Sequence, residues 1–96
     1  MKPFYVYLLK CSDGSYYTGH TDDMEKRLFE HNNDLFGTAA YTSSRKPLIL
    51  VYHEPFGTRD EALTAEMKIK KWNRKKKEAL ITGNWELLRD LSKRRR

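Results

Sequence analysis

Ninety-six residues make one domain's worth of chain, with room for a single modest core and too little for separate catalytic and binding domains. The lone Cys11 excludes an internal disulfide and predicts a reducing, cytoplasmic setting; no apolar run approaches the roughly 18 residues of a membrane span, and Met1-Lys2-Pro3 lacks the features of a signal peptide. The net charge of +6 is uneven, since residues 1–67 carry 7 Lys+Arg against 10 Asp+Glu and residues 68–96 carry 12 against 3. So basic a C-terminal third predicts a polyanion partner, nucleic acid or an acidic membrane surface; the plain alternative is a solvated helix face with a tail.

In chain order, Phe4 to Lys10 and Tyr16 to Gly19 are rich in aromatic, β-branched and aliphatic residues and flank Asp13-Gly14, a dipeptide suited to chain reversal, so they predict a β-hairpin. Its arms carry Tyr5 and Tyr7, then Tyr16 and Tyr17, which offer chemistry beside a strand-to-helix junction or are simply good strand residues. Asp22 as N-cap with Glu25 as capping-box partner predicts a helix from about Asp23 to Asn32. Its inward stripe is Met24, Arg27, Leu28 and His31, which turns two ionisable groups toward the core.

The polar stretch after Asn33, through Gly37 to Pro47 with the basic pair Arg45-Lys46, reads as a surface loop. Leu48 to Tyr52 is an apolar β-forming run closed by Pro55 and Gly57, and predicts a buried third strand. Thr58 and Glu61 form another capping box, opening a helix to about Lys71 or Trp72 with Ala62, Ala65, Glu66 and Ile69 on one stripe, widened by Leu63 and Met67. Glu66 thus stands where an apolar residue is expected and needs a cation, a hydrogen-bond donor or water. It suits a divalent ion that takes one carboxylate, and equally an ion pair with Lys70 at i+4.

Seven of the ten residues from Lys68 to Lys77 are basic: Lys68, Lys70, Lys71, Arg74, Lys75, Lys76 and Lys77, with Trp72 among them on the inward stripe, facing the core or stacking on a base. Asn73 marks a break before a short helix, Arg74 to Ile81, that ends at Gly83. A last helix capped by Asn84 is expected to dock through Trp85, Leu88 and Leu91, with a tail from Ser92 to Arg96. His20 and His53 look isolated at strand ends, and no zinc spacing, phosphate-cradling loop or acyl-enzyme arrangement is present.

Taken in order, Tyr5-Val6-Tyr7, Tyr17-Thr18-Gly19, Arg27, His31 and Glu66 resemble the GIY-YIG nuclease domain over roughly residues 4–81, most closely its small stand-alone bacterial members. The resemblance implies a mixed α/β (α+β) fold in which a three-stranded antiparallel sheet, the hairpin plus a third strand, is flanked by helices. Residues 1–96 then form one such domain, with a C-terminal helix and basic tail over about 84–96. It also implies an endonuclease that hydrolyses nucleic-acid phosphodiesters, expected to be DNA, with one Mg²⁺ or Mn²⁺ ion.

Position by position, Tyr7 and Tyr17 match the two motif tyrosines, Arg27 the catalytic arginine, His31 the His or Tyr one helical turn on, and Glu66 the metal ligand. A tyrosine base needs help from cations, because the free phenol ionises near about pH 10. Lys68, Lys70, Lys71, Arg74, Lys75, Lys76, Lys77, Arg45 and Lys46 are the expected nucleic-acid contacts of a monomer that works away from membranes, with a protein partner as one source of specificity. The sequence departs from the pattern at Tyr5, Val6 and Thr18, which replace a glycine and two isoleucines, at His20, where many members have lysine, and in a missing asparagine after the glutamate. The rival readings are a non-catalytic nucleic-acid-binding module on the same fold and an adaptor for a protein or membrane surface.

Overall fold

The computed structural model describes residues 2–33 and 40–93. Strands β1 (Phe4–Lys10) and β2 (Tyr16–Thr21) form the expected hairpin. Gly14 takes a φ of 85° at the turn, and the Asp13 carboxylate accepts from the Ser15 N–H at 3.0 Å and its hydroxyl at 2.6 Å. A third strand, β3 (Ile49–Phe56), pairs antiparallel with the other side of β1, giving the order β2-β1-β3.

Because β1 is central, its alternating side chains seed a core on each face. Val6 and Leu8 pack with Ala62 and Ile69 of helix α3 (Arg59–Lys70) and Leu80 of α4 (Arg74–Thr82). Tyr7 and Leu9 pack with Cys11 and Leu48, joined by Met24 and Leu28 of α1 (Met24–Asn32). Two further helices, α2 (Ala40–Ser43) and α5 (Trp85–Ser92), complete the described chain. None of its helices is long and apolar enough to cross a membrane.

The caps of α3, α4 and α5 follow the expected residues. Thr58 and Glu61 make a reciprocal capping box, Asn73 Oδ1 accepts from the Lys76 N–H at 2.9 Å, Asn84 Oδ1 accepts from that of Leu87 at 3.1 Å, and Gly83 ends α4 at φ 71°.

Several expectations are corrected. The cap of α1 is Asp23, which accepts from the Lys26 N–H at 3.1 Å, while Thr21 Oγ1 accepts from the Asp23 N–H; Glu25 therefore stands at the second helical position, too early for a capping box. The third strand is an edge strand with Ile49 59 % exposed, and it continues through Pro55, which an edge tolerates. Within the expected 37–47 loop, α2 forms around the buried Thr42; the loop's earlier residues, and 94–96 of the tail, lie outside the described residues. Finally, α5 docks through Leu88 but leaves Trp85 58 % exposed.

Thr18 is buried with a hydroxyl that has no hydrogen-bond partner among the described residues. Thr18→Val keeps the shape and removes the unsatisfied oxygen, so it is expected to stabilise the fold by about 1 kcal/mol. A urea titration checks this as a higher midpoint at unchanged slope; an unchanged midpoint would contradict it.

Candidate active site

Tyr7 lies directly across the hairpin from Gly19. A Cβ on Gly19 would fall 2.5 Å from the Tyr7 hydroxyl and 2.6 Å from its ring carbon Cζ, so the phenol occupies space that only glycine leaves open. Gly19→Ala is expected to push the ring out and cost about 1–3 kcal/mol, measured by denaturation; a variant as stable as wild type would refute this packing.

The Tyr7 hydroxyl meets His31 Nε2 at 2.9 Å, and His31 Nδ1 meets Thr42 Oγ1 at 3.0 Å. Both rings are shut off from solvent, with Tyr7 1 % and His31 0 % exposed. Burial pushes the Tyr7 phenol up to about 12, opposed by the neighbouring Arg27 and assisted by Tyr17 and Glu66. Burial, with the Arg27 charge, lowers His31 to about 4, against a smaller opposite pull from Glu30. At neutral pH the pair is therefore an uncharged hydrogen bond, and neither His31 nitrogen is open to a water or phosphate.

Keeping His31 neutral has a cost that depends on pH, because the unfolded imidazole binds a proton more readily than the folded one. The stabilisation is complete above about pH 6.5 and drains away as pH falls toward about 4, a loss of about 3 kcal/mol. Stability measured across this window should decline in wild type and be flatter in His31→Gln; parallel profiles would contradict the assignment.

The Tyr17 ring, half-buried, lies 6.4 Å from Tyr7, 5.3 Å from His31 and 6.3 Å from Tyr41 on α2. Arg27, one turn before His31, bonds Glu30 Oε1 at 3.3 Å. Burial disfavours its charge, yet Tyr7 and Glu30 together raise its pKa. Arg27 also lines an open groove of about 330 Å³ with His20, Asp22, Asp23, Lys26 and Glu30.

Glu66 is 9 % exposed on the inner side of α3. Its Oε1 meets His20 Nδ1 at 2.5 Å and its Oε2 meets Lys70 Nζ at 3.4 Å, so the ion pair read from the spacing is present and is joined by a histidine. The strand alternation puts His20, opposite Val6, on the α3 face, whereas Tyr7, Tyr17 and Gly19 face α1. The two halves meet at the β2 edge of the sheet, where His20, bound to Glu66, and Arg27, beside Tyr7, line the same groove. Tyr7, Tyr17, His31 and Glu66 are not among its lining residues, so the expected site residues other than Arg27 do not open onto this groove.

Among the described residues, no three His, Cys, Asp or Glu side chains gather as a metal cage. A metal at this site would rest on Glu66 with His20 beside it, and one hard carboxylate suits Mg²⁺ or Mn²⁺ that keep several waters.

The basic side chains divide in two. Arg45 pairs with Asp13 at 3.0 Å and lies over the Tyr41 ring at 3.9 Å, and Arg74 pairs with Glu78 at 3.0 Å and donates to the Gly14 carbonyl at 2.6 Å. Burial lowers the Lys77 pKa, and Lys70 is held by Glu66. Lys46, Lys68, Lys71 and Lys75 are exposed, and Lys76 sits 4.7 Å over the Trp72 ring.

Sequence reasoning passed over His20 and Thr42. Strand alternation places His20 on the α3 face, but its partner is 46 residues away, and nothing local marks Thr42.

Known proteins bear on this geometry. A UPF0213 protein of Bacillus pumilus is 49 % identical over 77 residues, covering 80 % of this chain and 76 % of the relative. A UPF0213 protein of Staphylococcus saprophyticus is 49 % identical over 82 residues, 85 % of this chain and 98 % of the relative. The solution NMR structure of a protein from E. faecalis superposes with a TM-score of 0.59 at 39 % identity, covering 100 % of this chain and 95 % of that one. Residues 3–79 match the family model of the GIY-YIG catalytic domain, and the chain belongs to the GIY-YIG family.

Proposed function

We propose that the chain is a divalent-metal-dependent endonuclease that hydrolyses phosphodiester bonds in DNA. The observation that carries this reading is the shared groove, lined both by Arg27, which neighbours Tyr7, and by His20, which is bonded to Glu66. An incoming phosphate meets the Arg27 guanidinium, whose planar fork grips two oxygens and stabilises the charge that grows as the bond breaks. Glu66 would hold a divalent ion, which when bound would supply Lewis-acid stabilisation of charge at the phosphate. Tyr17, the less buried of the two tyrosines, orients the attacking water. Tyr7 fixes the Tyr17 ring and the Arg27 side chain, and His31 holds Tyr7 in place from behind.

Family membership and the exposed Lys68, Lys71 and Lys75 support nucleic acid as the partner, and the single buried thiol Cys11 suits a reducing cytoplasm. One observation favours a second reading, a non-catalytic nucleic-acid-binding module: both Glu66 oxygens already have nitrogen partners. Incubating the protein with single-stranded, duplex and branched DNA and with RNA, in Mg²⁺, Mn²⁺ or EDTA, separates the two. Cleavage of DNA that EDTA abolishes is the expected result, and binding without cleavage under every condition would establish the module instead.

A further inference from the structure

Helices α3, α4 and α5 enclose an open groove of about 500 Å³ whose lining includes Lys68, Trp72, Lys76, Trp85, Leu88 and Arg89. That volume is within the about 300–1,000 Å³ typical of small-ligand sites. Its outer wall, α5, begins at Trp85, beyond the family match that ends at residue 79. Lys68 is two residues past Glu66 on α3, about 200° around the helix, so this groove opens away from the catalytic carboxylate.

Its chemistry is specific. Trp85 presents an indole 58 % exposed, at an energetic cost in water that a stacked ring would relieve. Trp72 packs on the core with Lys76 over its ring at 4.7 Å. None of Lys68, Lys76 and Arg89 is paired with a carboxylate among the described residues, and Asp90 of α5 is engaged by Lys93 at 3.6 Å. An apolar protein surface laid here would bury these cations without counter-charge, whereas a nucleotide brings a flat π-face and a phosphate together.

We propose that this groove binds an unpaired nucleotide of a single-stranded segment, its base stacked on Trp85 and its phosphates held by Lys68 and Arg89. The interior of a duplex hides each base face between its neighbours, so the groove selects substrates with a single-stranded arm. The inference rests on the nucleic-acid reading but not on Glu66 or on cleavage.

The chain's two tryptophans both line this groove, so indole emission reports on it alone. Wild-type protein in EDTA is titrated with oligo-dT, oligo-U and a circular DNA duplex, which has no ends. Saturable quenching by a single strand is expected, with the duplex at least about tenfold weaker; the dT and U arms show whether DNA or RNA is preferred. Trp85→Ala should weaken single-strand binding about tenfold with an unchanged circular dichroism spectrum, and Trp85→Phe should restore most of it. Lys68→Ala and Arg89→Ala should each reduce the salt slope by about one.

No change in emission with either single strand, Trp85→Ala binding as tightly as wild type, or duplex binding as tight as single strand would each overturn the proposal. Loss of cleavage with quenching intact would count against the nuclease alone, and EDTA-sensitive cleavage without quenching against the groove alone.

Discussion

Glu66→Gln is expected to lower DNA cleavage by about 10³-fold or more while the protein stays folded and still binds nucleic acid. The amide keeps the shape of the carboxylate and an oxygen for His20, but it loses the charge that would hold a divalent ion and that now faces Lys70 at 3.4 Å. Cleavage rate, thermal unfolding and Mn²⁺ binding are measured on the same preparation. Retained cleavage in a variant that no longer binds the ion would end the proposed role of Glu66. The structural alternative, in which Glu66 serves only to pair His20 and Lys70, expects a loss of stability with cleavage preserved.

Arg27→Ala is expected to reduce kcat by about 10²–10³-fold with a much smaller effect on KM, because the guanidinium is assigned to charge that develops as the bond breaks. Arg27→Lys should recover only a minor part, since a point charge cannot replace the bidentate fork. Losing Arg27 also removes the neighbour that opposes the effect of burial on Tyr7, so a small further shift around the Tyr7–His31 pair is expected. Steady-state kinetics decide the matter: a rise in KM with kcat unchanged would reduce Arg27 to a binding residue.

Arg27 and His31 show how far the site was legible in the sequence. Both broke the apolar stripe of α1, and such a breach marks a place where the fold keeps an ionisable group inside for a reason. Glu66 broke the stripe of α3 in the same way. The reason itself was not legible. His31 turned out to be closed off from water and spent on Tyr7 and Thr42, and Glu66 was met by a histidine that had looked isolated. Arg45 is engaged by Asp13, an acid 32 residues distant that its charge alone does not reveal, whereas the pairing of Arg74 with Glu78 follows an i, i+4 spacing that the sequence displays.

The hairpin turn at Asp13-Gly14, the capping box at Thr58 and Glu61, and the break at Asn73 with its stop at Gly83 were determined by the sequence alone. Each depends on a φ angle or a hydrogen bond that spans at most four residues, and such rules need no partner from elsewhere in the chain. Tertiary structure alone decided that β3 lies at an edge, that α2 forms around Thr42, and that the strand alternation sends Tyr7 and His20 to opposite faces that meet at the β2 edge. These depend on strand order and on contacts 11 to 46 residues apart, which exist only once β1 has taken the centre of the sheet.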